Sequence, residues 1–326
     1  MNVLVTGGAG YIGAHMVRAL LRAGHKVTVV DNLLTGHAEF VPAEVPFVRA
    51  DVRDGKAMLE VLRSAQIGAI FHFAARVLVG ESVTSPRLYF RDNLAGTIEL
   101  LDAALEAKVS RLVFSSTAAV YGNPVTVPLE EDHPLTPVNP YGEATLATER
   151  VLRSYDQAYG LRFVALRYFN AAGADLDAGI GERHDPETHL IPLVLDTALG
   201  RRASLTIHGD DYPTPDGTCV RDYIHVSDLV AAHLSALDYL NAGGQSGAFN
   251  LGTGKGHSVR QVVQMAERIS GRPVPVAYGP RRPGDPAVLV ASPARAEEML
   301  GWRATRSSLE SIVRDAWAYH KRAFGG

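Results

Sequence analysis

Thr6-Gly7-Gly8-Ala9-Gly10-Tyr11-Ile12-Gly13 follows a short β-branched run, Val3-Leu4-Val5, and leads into a helical pattern over residues 12–22. Each glycine has its own task in such a strand–turn–helix unit. Gly7 permits the tight turn, Gly10 lets backbone approach a pyrophosphate, and Gly13 lets helix and strand pack closely. The helix N-terminus then offers unpaired N–H groups and a positive dipole end to phosphate oxygens. The next strand, Lys26-Val27-Thr28-Val29-Val30, is closed by Asp31. A carboxylate at that distance accepts hydrogen bonds from a ribose 2′-hydroxyl and repels a 2′-phosphate, which favours NAD over NADP. Three glycines alone are a weak signal, because a plain strand-to-helix turn can need two of them. The flanking strand, the helix and Asp31 supply the context.

Outward from this unit the pattern repeats. Ala69-Ile70-Phe71-His72-Phe73, Arg111-Leu112-Val113-Phe114-Ser115 and Phe163-Val164-Ala165-Leu166-Arg167-Tyr168 are strand candidates of near-continuous apolarity. Such runs suit strands buried on both faces, as in a parallel sheet. Helical stretches lie between them, at 97–108 and 141–159. Strands alternating with helices of that length predict βαβ units, hence an α/β fold with a doubly wound parallel sheet of the Rossmann type. After about residue 170 glycine, proline and aspartate punctuate 171–186 and 210–217, around short helices at 192–199, 226–240 and 258–269. The expected organisation is a dinucleotide-binding domain over 1–170 and a smaller C-terminal α/β lobe over 171–326 that binds the substrate. The boundary is soft, because strands of the second half can return to the main sheet.

The 326 residues suffice for two packed lobes, and 46% hydrophobic with 21% charged residues is ordinary globular composition. A net charge of -3 calls for neither nucleic acid nor an anionic membrane. The single cysteine, Cys219, excludes an internal disulfide and a thiolate-rich metal site, and fits a reducing compartment. The first residues read as a strand rather than a signal peptide, and no apolar run is long enough for a membrane helix. The expectation is a soluble, cytoplasmic protein with no nucleic-acid or membrane partner. His184, His189 and His225 lack paired ligand spacing, so no metal is expected.

Phe114-Ser115-Ser116-Thr117-Ala118-Ala119-Val120-Tyr121-Gly122 ends a strand in a run of hydroxyls, where open α/β sheets bind their ligands. Asn139-Pro140-Tyr141-Gly142 later opens a helix. Further landmarks are Leu166-Arg167-Tyr168-Phe169-Asn170, Thr218-Cys219-Val220-Arg221-Asp222-Tyr223-Ile224-His225-Val226 and Arg281-Arg282-Pro283-Gly284-Asp285. With the Gly-x-x-Gly-x-x-Gly spacing, these landmarks resemble the UDP-glucose 4-epimerase family, a branch of the extended short-chain dehydrogenase/reductases, along nearly the whole chain.

The resemblance implies roles for particular residues. Thr117 orients the sugar hydroxyl, and Tyr141 takes or returns its proton. Asp51 and Val52 border the adenine, Phe73-Ala74-Ala75 lies beneath the cofactor, and Asn93 makes a polar contact nearby. Tyr11, Ile12, Asn32, Ser115 and Tyr168 complete the expected surroundings of NAD. On the substrate side Asn170, Arg221 and Arg282 hold the diphosphate of a UDP-sugar, Asp285 its ribose, and Leu190 and Ile207 its uracil. Simple core packing is the other reading for Val52, Phe73, Leu190 and Ile207. An ordinary loop carboxylate is the other reading for Asp51, and an ion pair with Asp222 for Arg221. Arg281 reads as a solvated charge. A small residue at Val288 leaves room for N-acetyl sugars.

The implied reaction is inversion at C4 of a UDP-hexose by transient oxidation with bound NAD, through a 4-keto sugar, with hydride return to the opposite face. The implied assembly is a homodimer built on the helices at 97–107 and 146–155. A dehydratase would need an acid pair where this chain has Ala118 and Ala119.

One departure stands out. The family motif is Tyr-x-x-x-Lys, and here Tyr141-Gly142-Glu143-Ala144-Thr145 puts threonine in the lysine position. Without that cation the tyrosine is a weaker base at neutral pH. The expectation is a slow epimerase whose rate climbs toward alkaline pH. The alternative is a catalytically silent protein that binds NAD and a UDP-sugar.

Overall fold

The apolar runs of the first half line up side by side in a computed structural model that describes residues 1–282 and 284–325. Pro283 of the Arg281–Asp285 landmark and Gly326 lie outside the described residues. In chain order come β1 (Asn2–Thr6), α1 (Tyr11–Arg22), β2 (Lys26–Asp31), β3 (Phe47–Arg49), α2 (Gly55–Ser64), β4 (Ala69–His72), α3 (Val79–Thr84), α4 (Pro86–Tyr89), α5 (Gly96–Glu106), β5 (Arg111–Thr117), α6 (Pro140–Tyr159) and β6 (Arg162–Tyr168). The second half adds β7 (Asn170–Ala172), β8 (Ala174–Asp175), β9 (Ile180–Gly181), α7 (Leu190–Ala198), β10 (Leu205–His208), β11 (Val220–Arg221), β12 (Tyr223–His225), α8 (Val226–Asn241) and β13 (Gly247–Leu251). It ends with β14 (His257–Ser258), α9 (Val259–Ser270), β15 (Val276–Gly279), β16 (Val288–Leu289), α10 (Ala294–Leu300) and α11 (Leu309–Phe324).

The main sheet has seven strands in the order β13-β6-β5-β4-β1-β2-β3, and every pairing in it is parallel. The order reverses between β1 and β4, so a crevice opens at the carboxyl ends of those strands. Alternate side chains explain the continuous apolarity. Val3, Val5, Val29 and Phe71 pack against Met16 and Leu20 of α1 and Leu229 and Leu237 of α8. Leu4, Val30, Ile70 and Leu112 point the other way, onto Met58 and Leu62 of α2 and Leu100 and Leu101 of α5. Burying each such side chain contributes about 1.5–3 kcal/mol, so tertiary packing outweighs any local preference of these strands.

The second half does return to this sheet. β13 pairs with β6, Phe249 opposite Leu166, and α8 covers one face of the core. A separate core joins α7, α9 and α11 through Leu195, Val262, Ile312 and Trp317. Short strand pairs (β7 with β12, β8 with β9, β10 with β15) and the set β14-β11-β16 tie the loops between them.

Candidate active site

The glycine loop interlocks with its surroundings. Gly7 has φ +71°, and a Cβ there would lie 2.6 Å from the Ala74 nitrogen. A Cβ on Gly13 would lie 2.1 Å from the Gly7 carbonyl oxygen, so its close packing is against the loop itself. Gly10 caps α1 with no side-chain hydrogen bond, and the first turn carries no acidic residue. The amides of Tyr11, Ile12 and Gly13 are therefore left for an anion from outside the helix. Asp31, at the end of β2, accepts from the Ala9 amide at 3.0 Å and the Leu33 amide at 2.8 Å. Each of its oxygens keeps a second lone pair for a ribose hydroxyl. These features fit NAD.

The remaining cofactor candidates sort by their partners. The Asp51 carboxylate takes hydrogen bonds from Arg53 at 2.8 Å and Asn32 at 2.9 Å, and the guanidinium holds it well below the usual carboxylate range. Asn93 receives the Arg76 amide at 2.8 Å and donates to its carbonyl at 2.9 Å, so it clamps the backbone just after Ala75. Val52 is buried in the sheet core. Phe73 is half-buried with its ring 4.8 Å from that of His233, Ala74 sits beside Gly7, and Ala75 is exposed.

Local sequence places the candidate reacting hydroxyls. Asn139 caps α6, accepting from the Gly142 amide at 2.9 Å, and Pro140 opens the helix, which sets Tyr141 in its first turn. Thr117 ends β5 and turns the chain by accepting from the Ala119 amide at 3.1 Å. The hydroxyl beside the Tyr141 phenol favours the phenolate, but burial dominates and pushes the Tyr141 pKa up, and among the described residues no cation acts on it. Ser115 pairs with the Tyr168 hydroxyl next door. Thr145 lies one turn beyond Tyr141, only 5% exposed, and its hydroxyl donates to the Tyr141 carbonyl at 2.9 Å. Its hydrogen is thus already committed to the helix backbone.

Arg221 pairs with Asp285, not with Asp222. Asp222 is buried and accepts from Thr253 and from the Ala291 amide, with burial raising its pKa to about 6. Val288 lies beside Val220 in the β11–β16 pairing, next to this cluster. Arg282 lines a cleft with Glu187, Thr188, Leu193 and His208. Asn170 starts β7, opposite Tyr223. Leu190 opens α7 half-buried, whereas Ile207 is 2% exposed within the second core. Arg281 ion-pairs with exposed Asp211 at 2.6 Å and stacks on Tyr212.

Two groups escaped the sequence reading. Arg167 (2% exposed) and Glu149 (6%) form a buried pair at 2.6 Å, with Ser116 donating to Glu149 at 2.6 Å. Arg167 also reaches the Tyr121 hydroxyl at 3.0 Å, which in turn donates to Asn250 at 2.6 Å. The network ties α6, which carries Tyr141, to β5, which carries Thr117. A charge inside the apolar run of β6 was its visible signal. His184 and His189, whose spacing suggested no ligand pair, converge with Glu182 and Glu187. His225 caps α8, as a structural histidine does.

Comparison with known proteins agrees with this arrangement. The model of the NAD dependent epimerase/dehydratase family matches residues 3–252. The UDP-glucose 4-epimerase of Halalkalibacterium halodurans is 51% identical over 321 residues, covering 98% of this chain and 96% of the relative. The crystal structure of the Brucella ovis UDP-glucose 4-epimerase in complex with NAD superposes with a TM-score of 0.95 at 48% identity, over 99% of this chain and 98% of that one. The Bifidobacterium longum enzyme in complex with NAD+ and UDP gives 0.93 at 37% identity, over 100% of both chains. The fold is thus shared from end to end, and the chain belongs to the UDP-glucose 4-epimerase family.

Proposed function

We propose that this chain interconverts the C4 epimers of a UDP-hexose, such as UDP-galactose and UDP-glucose, with NAD retained between turnovers. The observation that carries the reading is the Thr117 hydroxyl beside the buried Tyr141 phenol, at the end of a strand two places from the glycine loop. The uncapped first turn of α1 holds the pyrophosphate, and Asp31 the adenosine ribose. NAD, when bound, supplies a reversible acceptor for the C4 hydrogen, so that the sugar passes through a 4-keto form. Thr117 orients the C4 hydroxyl, and Tyr141 removes its proton and returns one after the sugar has turned over. Arg221 and Arg282 grip the diphosphate with planar, multiply donating heads, and Asp285 holds the uridine ribose. Anchoring the nucleotide while leaving the sugar free to rotate exposes either face to the same acceptor.

Thr145 sets the rate. With no cation acting on Tyr141, the phenol is a weak base, and turnover is slow at neutral pH. The small Val288 beside Val220 admits the larger N-acetylhexosamine sugars as well. We place the protein in the cytoplasm, in keeping with its single, buried cysteine, and among the described residues no helix is long and apolar enough to cross a membrane. The subunits pair through α5 and α6, which Tyr155 and Asp102 already brace with a 2.7 Å hydrogen bond.

Conversion of UDP-galactose to UDP-glucose tests the reading, with Tyr141→Phe expected to lose about 10²–10⁴-fold in rate. A protein that binds UDP-sugar with no turnover and no absorbance of reduced cofactor would be the silent binder instead.

A further inference from the structure

The loop between β9 and α7 gathers four side chains that the epimerase chemistry does not use. One ligand atom each from Glu182, His184, Glu187 and His189 lies within 4.8 Å of all the others. His189 Nδ1 is 2.8 Å from Glu182 Oε1 and 3.3 Å from Glu187 Oε1, and His184 Nδ1 is 3.5 Å and 3.4 Å from the same two carboxylates. Despite this proximity, neither nitrogen makes a hydrogen bond, and neither is reached by solvent. The rings therefore aim no N–H at the oxygens beside them. Among the described residues, no lysine or arginine forms a salt bridge with either carboxylate, and the Glu182 side chain is 7% exposed. Two carboxylates are thus held together in a confined space without a fixed cation.

The distances themselves point to an occupant. Zinc-like ions bind imidazole nitrogen and carboxylate oxygen at about 2.0–2.2 Å, so neighbouring ligand atoms on a tetrahedron stand about 3.3 Å apart. Three of the four nitrogen–oxygen separations are of that size, and the fourth, His189 to Glu182 at 2.8 Å, is shorter. A donor set of two imidazoles and two carboxylates, with no thiolate, suits zinc or a similar divalent transition metal and balances its charge. We propose that Glu182, His184, Glu187 and His189 form a divalent transition-metal site that staples residues 182–189 against the start of α7. The site is structural with respect to the reaction. It shapes one wall of the substrate-side cleft, because Glu187 and Thr188 line that cleft with Arg282, and His189 directly precedes Leu190. The rival occupant is a pair of protons on the imidazoles.

The test uses tag-free, full-length protein stripped with a chelator and titrated with cobalt(II) under equilibrium dialysis, with visible absorbance recorded. The expected result is one cobalt per chain at micromolar concentration, a four-coordinate d–d band, and displacement by one equivalent of zinc. His184→Ala and Glu187→Gln each weaken uptake tenfold or more, while His257→Ala, outside the cluster, leaves it unchanged. Zinc raises the melting temperature of the wild-type chain and not of Glu182→Gln/His184→Ala. Absence of stoichiometric uptake by the wild type overturns the proposal, because protons then fill the site. Uptake that persists in the double variant also overturns it, because the ion then sits elsewhere.

Discussion

Replacing Thr145 with lysine places an ammonium one helical turn beyond Tyr141, on the same face of α6. In the wild-type chain burial holds the phenol above its usual pKa of 10, with only the Thr117 hydroxyl pulling it down. At pH 7 the ionised fraction of such a phenol is therefore below ~0.1%. A neighbouring cation lowers an acid's pKa by about 1–3 units, which raises that fraction roughly 10- to 1000-fold. The gain is set against two costs. Thr145 gives up its 2.9 Å bond to the Tyr141 carbonyl, and a longer side chain enters a position only 5% exposed, a strain of about 1–3 kcal/mol. Stability falls while rate rises. The assay is steady-state conversion of UDP-galactose by both proteins from neutral to alkaline pH. Wild-type kcat should climb about tenfold per pH unit, following the phenolate. The variant should start higher and level off earlier, so the ratio of the two shrinks as pH rises. Equal rates at neutral pH, or a ratio that stays constant across the series, would refute the assignment of Tyr141 as a base held back by its missing cation.

Glu149→Ala leaves Arg167 charged and unpaired under the sheet, and should cost about 3–5 kcal/mol, read as a lower denaturant midpoint with an unchanged slope. Restoring an apolar pair with Glu149→Leu/Arg167→Met should recover much of that loss. Gly13→Ala sets a methyl 2.1 Å from the Gly7 carbonyl, and should abolish copurifying NAD while the second core still forms. His15, His72 and His233 are each lowered from 6.5 to about 4 by burial, so between those values the unfolded chain binds protons that the folded chain refuses. Their contribution, roughly 1–3 kcal/mol each, is complete above pH 6.5 and fades as pH falls toward 4. Asp222, raised to about 6, acts in the opposite sense over part of that range, and the three histidines together outweigh it. Urea unfolding at pH 7 and pH 5 checks it, and equal midpoints would contradict it.

The cofactor half of the site was legible because its signals are local. A turn that needs φ +71° demands glycine at position 7, a helix start without a capping side chain is visible in Gly10-Tyr11-Ile12, and Asp31 ends a run of β-branched residues. The helix that carries Tyr141 announced itself through Asn139 and Pro140. The substrate half was less legible, since Ile207 could border a base or fill a core, and its apolar side chain reads the same in both roles.

What the sequence by itself determined is therefore the alternation of strands and helices, the glycine-rich turn into the first helix, the candidate pair Thr117 and Tyr141 through its family pattern, and a threonine at 145 where the resemblance expects a lysine. Tertiary structure alone decided which distant groups meet. It brought β13 back beside β6, Arg221 onto Asp285, and Tyr121 onto Asn250. The reason is physical. Hydrophobic periodicity and capping act between near neighbours and leave a mark in the chain order. A buried charge or hydroxyl must find its partner wherever packing puts one, and nothing in the intervening residues records that choice.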